Sequence, residues 1–177
     1  AWIAVLDKNG QAVIKIATSG IESNTDLIRQ KLDGGKIPSC LQKTLDSDET
    51  VVVMKPMEEC PDCPLADEYG EKAGLVRRLS YGDTLYGVLA VSVPAQHATD
   101  PEELDLFKEV AGDLAFALHK IRESEAYQES LRTSADIVQA IPSGLFLYKF
   151  ESPDRLILIS GNPEAERLTG IRTTEWK

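Results

Sequence analysis

The chain has 177 residues, 42% hydrophobic and 27% charged, enough for one well-packed core and part of a second. Its net charge of −10 excludes a general nucleic-acid surface, which needs a basic stripe, and argues against contact with an anionic membrane. No apolar run approaches the roughly 20 residues that span a bilayer, and the first residues lack the basic start of a secretory signal. Three cysteines without such a signal point to a reducing cytoplasm rather than a disulfide framework. A strand that begins at once without Met, and an end at Glu175-Trp176-Lys177, read as a piece of a longer chain.

Trp2 to Leu6 and Ala12 to Ser19 are apolar, β-branched runs, and Asn9-Gly10 between them is a strong hairpin signal. Thr25 to Leu32 reads as a short helix stopped by Asp33-Gly34-Gly35. Ser39 is expected to cap a second helix running to Leu45, and Val51 to Met54 reads as a buried strand. Lys55 to Gly70 is irregular, with three prolines and two cysteines. Leu75 to Val93 reads as a hairpin with Gly82-Asp83 at its tip and Leu75, Leu79, Val91 and Val93 facing a core.

A long helix is expected from Asp100, with Asp100 as N-cap, Pro101 at N1 and Glu103 returning a capping bond. Leu104, Phe107, Ala111, Leu114, Leu118 and Ile121 form its apolar stripe. Past Ile121 the helix turns polar, which suits a solvated connector or a dimer coiled coil. Leu131 to Ile141 resumes apolar spacing. Two strands follow, Leu145 to Phe150 and Arg155 to Ile159, and then a short helix capped by Asn162 and stopped by Gly170. This order predicts an α+β fold, an antiparallel sheet flanked by helices.

These residues resemble known families. Trp2-Ile-Ala-Val-Leu6, Ile37-Pro-Ser-Cys40, Leu85-Tyr-Gly-Val-Leu89 and Ala115-Phe-Ala-Leu118 make residues 1–125 similar to a GAF domain without its N-terminal helix. Ile141-Pro-Ser-Gly-Leu-Phe-Leu147 and Asn162-Pro-Glu-Ala-Glu-Arg-Leu-Thr-Gly170 make residues 135–177 resemble the first part of a PAS domain, and residues 100–134 form the connector helix. The tandem resembles the sensory region of a prokaryotic sensor histidine kinase. That resemblance implies a cytoplasmic, non-enzymatic, signal-sensing segment, a homodimer through the connector helix, a small ligand or a metal or redox centre in the GAF-like domain, and a downstream kinase domain. The signature of cyclic-nucleotide-binding GAF domains is absent, as is the Cys-His pair that holds bilins. His119 lacks the context of a phosphoacceptor box.

Cys40, Cys60 and Cys63 are the sharpest chemical feature. The Cys60-Pro-Asp-Cys63 spacing lets two thiolates reach one ion, with Cys40 as a third ligand to zinc or an iron–sulfur centre and a fourth from Asp62, Asp67 or a neighbouring subunit. Pro64 removes one backbone N–H that a zinc knuckle would offer to sulfur. In a redox reading, Cys63 caps a short helix whose N-terminus lowers its thiol pKa, against the nearby Glu58, Glu59, Asp62 and Asp67. In a third reading all three are small buried hydrophobes. His97 reads as a loop residue with a ligand role as its alternative, and His119 as a helix-surface residue with haem ligation as its alternative. Arg77 and Arg78 lie on opposite strand faces, and Tyr69, Tyr81 and Tyr86 are candidates to line a pocket. Two other functions compete with sensing: a ligand-free dimerisation module, and a small redox enzyme of the methionine sulfoxide reductase type.

Overall fold

The computed structural model describes residues 1–20, Gln30 and 37–172. The helix expected over Thr25–Leu32 lies, apart from Gln30, outside them. The fold is α+β and divides into two units, residues 1–121 and 122–177, which are described separately.

In the first unit, β1 (Trp2–Leu6) and β2 (Val13–Thr18) form the opening hairpin. Asp7 explains its turn: Oδ1 accepts the amides of Asn9 and Gln11 at 3.1 and 2.8 Å, and Gly10 takes φ +70°. There follow α1 (Ser39–Leu45), β3 (Val51–Val53), α2 (Pro56–Glu59) and a one-turn 3₁₀ helix over Ala66–Tyr69. The long strands β4 (Lys72–Tyr81) and β5 (Thr84–Pro94) turn at Gly82-Asp83. All pairings are antiparallel and the sheet order is β2-β1-β5-β4-β3.

Strand alternation sends side chains to two separate clusters. Trp2, Ala4, Val76, Val88 and Ala90 pack with Cys40, Leu41, Cys60 and Leu65. Ala73, Leu75, Leu79 and Leu89 pack with Phe107, Ala111 and Ala115 of the long helix α3 (Pro101–Ala140). A Cβ on Gly87 would collide with the Ala4 carbonyl oxygen, so glycine is what lets β1 pair there. The register then slips between Leu79 and Ser80, leaving Tyr86 unpaired between Leu85 and Gly87. This bulge places Tyr86 in the helix-side cluster, although the even-numbered Val88 and Ala90 point to the other face.

The start of α3 follows the expected cap: Asp100 Oδ1 accepts the Glu102 amide at 3.0 Å, and the Asp100 carbonyl accepts that of Leu104. The helix runs unbroken to Ala140, past the expected connector end near Ser134. Its core stripe is Phe107, Ala111 and Ala115, with Leu104, Leu114 and Leu118 beside them. Ile121 does not belong to it and is 55% exposed. Seven residues after Leu114, it has rotated about 20° off the stripe.

In the second unit, β6 (Phe146–Glu151) pairs antiparallel with β7 (Arg155–Gly161), and α4 (Pro163–Thr169) follows. Asn162, 2% exposed, organises it. Its Oδ1 accepts the amides of Leu145 and Ala165, capping α4, and its Nδ2 lies 2.9 to 3.4 Å from the carbonyls of Val138, Ile141 and Ser143. Truncation strands several buried backbone groups at once. Asn162→Ala should therefore destabilise this unit by about 3 kcal/mol. Amide hydrogen exchange checks it: protection should fall in β6, β7 and α4 while β4 and β5 keep theirs.

Candidate functional site

The three cysteines, 20 and 3 positions apart in sequence, converge: their sulfurs all lie within 4.8 Å of one another. Two pieces of local structure achieve this. Cys60 ends α2, its amide bonded to the Pro56 carbonyl at 3.0 Å. Cys60-Pro61-Asp62-Cys63 then forms a tight turn, closed by the Cys63 amide on the Cys60 carbonyl at 2.9 Å, with Pro at the position whose φ it presets. The turn folds both sulfurs to one side. Cys40 enters on the first turn of α1, which is docked onto this turn by Asp62.

Asp62 explains a departure from the expected cap. Ser39 is the first residue of α1, and Pro38 stands at the cap position without a side-chain bond. The Asp62 carboxylate caps the helix from elsewhere in the chain, accepting the Ser39 amide at 3.2 Å and Ser39 Oγ at 3.2 Å. Short-range sequence reasoning cannot see a cap delivered from a position 23 residues away.

Cys40 and Cys60 are buried and Cys63 is half-buried. The sulfurs of Cys40 and Cys60 stand 3.1 Å apart, and the Cys40 amide lies 3.5 Å from Cys60 Sγ. Hydrogen bonds from Cys40 and Cys63, aided by Ser39 and the Cys40 amide, hold the Cys60 thiol well below its ordinary pKa despite its burial. Cys40 is pushed up, because its proton is committed to Cys60, with Cys63 and burial adding to the effect. For Cys63, contact with Cys40 lowers the pKa, but contact with Cys60 and burial outweigh it, pushing it up to about 11; the Leu65 amide bonds its sulfur.

Two expectations change. The 3₁₀ turn starts at Ala66 with Leu65 at its cap, so Cys63 is not a helix N-cap, and no helix terminus lowers its pKa. The proline at position 64 does not leave the sulfurs without amide donors either, since Leu65 and Cys40 supply them. Of the two acids expected near the site, Asp62 comes to 3.5 Å from Cys60 Sγ, and Asp67 lies in the exposed 3₁₀ turn.

Beside the thiols lies an apolar cavity of about 360 Å³, lined by Ala4, Leu6, Val13, Leu41, Leu45 and Val88 among others. Leu41 and Leu45 belong to the helix that carries Cys40, so cavity and thiols share a wall. None of the described lining residues is charged. Arg77 and Arg78 do not line it: Arg77 Nη1 donates to Thr50 Oγ1 at 3.2 Å and Arg78 pairs with Asp48. Tyr69 lines a separate small recess with Trp2.

His119 is not a free helix-surface residue. Its Nδ1 lies 2.9 Å from the hydroxyl of buried Tyr86, and its ring stacks on Tyr81 at 4.6 Å between centroids. The bulge that aims Tyr86 carries no local sequence signature. His97 lies 3.1 Å from the Gln96 side chain in an exposed turn.

No family model matches the chain, and no curated protein does. Among solved structures, the chain is similar to one in the Escherichia coli DhaR(N)-DhaL complex, with 14% identity and a TM-score of 0.46. The match covers 99% of this chain and 59% of that one, so this chain spans less than two thirds of its length.

Tyr69 offers a test of the environment beside the thiols. Burial pushes its hydroxyl up to about 12 from an ordinary 10, and the cysteine sulfurs add to this. Between those values the unfolded chain has lost the proton and the folded chain keeps it. Stability is therefore full below pH 10 and falls as pH rises toward 12. Urea unfolding on the alkaline side should show this fall, and Tyr69→Phe should reduce it by on the order of 1 kcal/mol at this half-buried site.

Proposed function

We propose that this chain is a non-enzymatic signal-input segment of a cytoplasmic two-component sensor. In this reading a GAF-like unit holds a small ligand or a metal or redox centre, and a helix passes its state to a PAS-like unit and on to a kinase domain. The observation that carries the reading is the use of both faces of one sheet. The thiols and the apolar cavity lie with one cluster, and α3 packs on the other. A change at the thiol face that shifts β5 reaches the helix through residues two positions apart on the same strand.

The ring set formed by Tyr81, Tyr86, Phe116 and His119 supports the coupling. The buried Tyr86 hydroxyl ties β5 to the helix at His119, and Tyr81, at the end of β4, contacts both His119 and Phe116. Next to the buried stripe, exposed Leu106, Val110, Ala117 and Ile121 recur at intervals of four, seven and four. At 3.6 residues per turn these four fall within about 60° of one another, an exposed apolar face that suits a parallel homodimer in which rotation of the pair is the transmitted signal.

The test is Glu123→Pro in the full-length protein. A proline in the helix interior costs about 3 kcal/mol locally, and the melting of the five-stranded unit should stay within a few degrees of the parent. Autophosphorylation is compared with and without zinc and before and after air. The parent should respond to one of these and the variant should not. A variant that responds like the parent would sink the relay.

A further inference from the structure

We propose that Cys40, Cys60 and Cys63 are three ligands of one thiophilic divalent ion, of the zinc class. The inference rests on the geometry of the thiols and goes beyond the relay, since a module can hold the ion without transmitting anything.

The three sulfurs converge on one point. A tetrahedral zinc site with bonds of about 2.3 Å places neighbouring sulfurs roughly 3.8 Å apart. Here one pair stands at 3.1 Å and all three lie within 4.8 Å, so rearrangements of no more than about 1 Å complete the triangle. An iron–sulfur cluster with several irons puts its thiolates on different irons and holds them apart, and this triangle converges on a single point instead.

An ion and a disulfide differ in the number of sulfurs they engage. A disulfide bond of about 2.05 Å joins two sulfurs and leaves the third idle. All three are instead mutually engaged, and two sulfurs also meet backbone amides, Cys60 that of Cys40 and Cys63 that of Leu65. Amide donors aimed at sulfur stabilise negative charge there, and metal-bound thiolates are held in this way. The surroundings are also ordered before any ion arrives. The Cys60–Cys63 turn is closed by its own backbone bond, and Asp62 locks that turn to the helix bearing Cys40.

Charge and protons balance simply. Each thiol that bonds to the ion releases its proton to solvent, and three thiolates with one divalent ion carry a net charge of −1. Among the described residues no fourth His, Cys, Asp or Glu joins the group, and Asp62, whose Oδ1 lies 3.5 Å from Cys60 Sγ, is already engaged by Ser39. A solvent molecule in the fourth position would make the ion exchangeable by comparison with a site closed by four protein ligands.

The test uses the 177-residue chain, reduced, treated with chelator and titrated anaerobically with cobalt and then zinc. The expected result is one cobalt per chain, a thiolate-to-cobalt charge-transfer band with the intensity of three sulfurs, tetrahedral visible bands, and displacement of all of these by one equivalent of zinc. Cys60→Ser should weaken zinc binding by more than about 100-fold. If that variant does not fold, Cys63→Ser, at the half-buried position, replaces it. Absence of a stoichiometric cobalt band on folded, reduced protein overturns the inference. So does isolation of the chain with iron and inorganic sulfide, or the loss of two thiols in air in metal-free protein with no cobalt uptake beforehand. A failed titration leaves the relay standing, because Glu123→Pro tests that through a different readout.

Discussion

The close approach of β1 to β5 at Gly87 is the constraint on which the first unit depends. A side chain there would meet the carbonyl of Ala4, and the strands could not pair over Trp2 to Val5. That pairing supplies material to both faces of the sheet. Trp2 and Ala4 floor the thiol cluster, and Ile3 packs on the helix-side cluster. With β1 displaced, the apolar cavity would lose Ala4 and Leu6 from its wall. The helix face would lose part of its partner as well. A single backbone contact therefore supports two surfaces that do different work.

Most of the elements were legible because their signals are local. Asn9-Gly10, Gly82-Asp83, the Asp100-Pro101 start and the Asn162-to-Gly170 helix are each specified by residues within a turn of one another, and each sits where expected. The cysteines were legible only as candidates. Their spacing showed that two of them could meet, but the third is brought in by a helix docked through an acid 23 residues away. No periodicity encodes that contact. The face that Tyr86 packs on was not legible for a related reason. Strand alternation assigns it to the side of Val88, and only a slip in register, set by a partner strand, reverses it. The end of the helix stripe was misjudged at Ile121, where the 3.6-residue period and a seven-residue repeat part company.

The acidic surroundings of the thiols look unfavourable on paper, since Glu58, Glu59 and Asp62 all oppose a thiolate. In the fold each of these carboxylates is occupied with something else. Glu58 pairs with the Lys55 ammonium at 3.1 Å, and Glu59 Oε1 accepts the Lys55 amide at 2.8 Å. Asp62 receives the two donors of Ser39. The first pair is exposed and contributes little stability. Asp62 is the carboxylate that lies beside a sulfur, and one engaged by two donors presents less of its field to its neighbour.

The same arrangement explains why the site can be charged and buried together. A lone buried thiolate would carry the full cost of desolvation. Here Cys60 Sγ lies 3.5 Å from the Cys40 amide and 3.1 Å from Cys40 Sγ, contacts that favour its charged form. Replacing the thiol protons with a divalent ion strengthens the same logic, because one cation then faces all three sulfurs at bonding distance. With three protons released for one divalent ion the loaded site stays negative, so the ion's bonds to the three sulfurs, and not a gain of positive charge, are what offset the nearby Asp62 carboxylate.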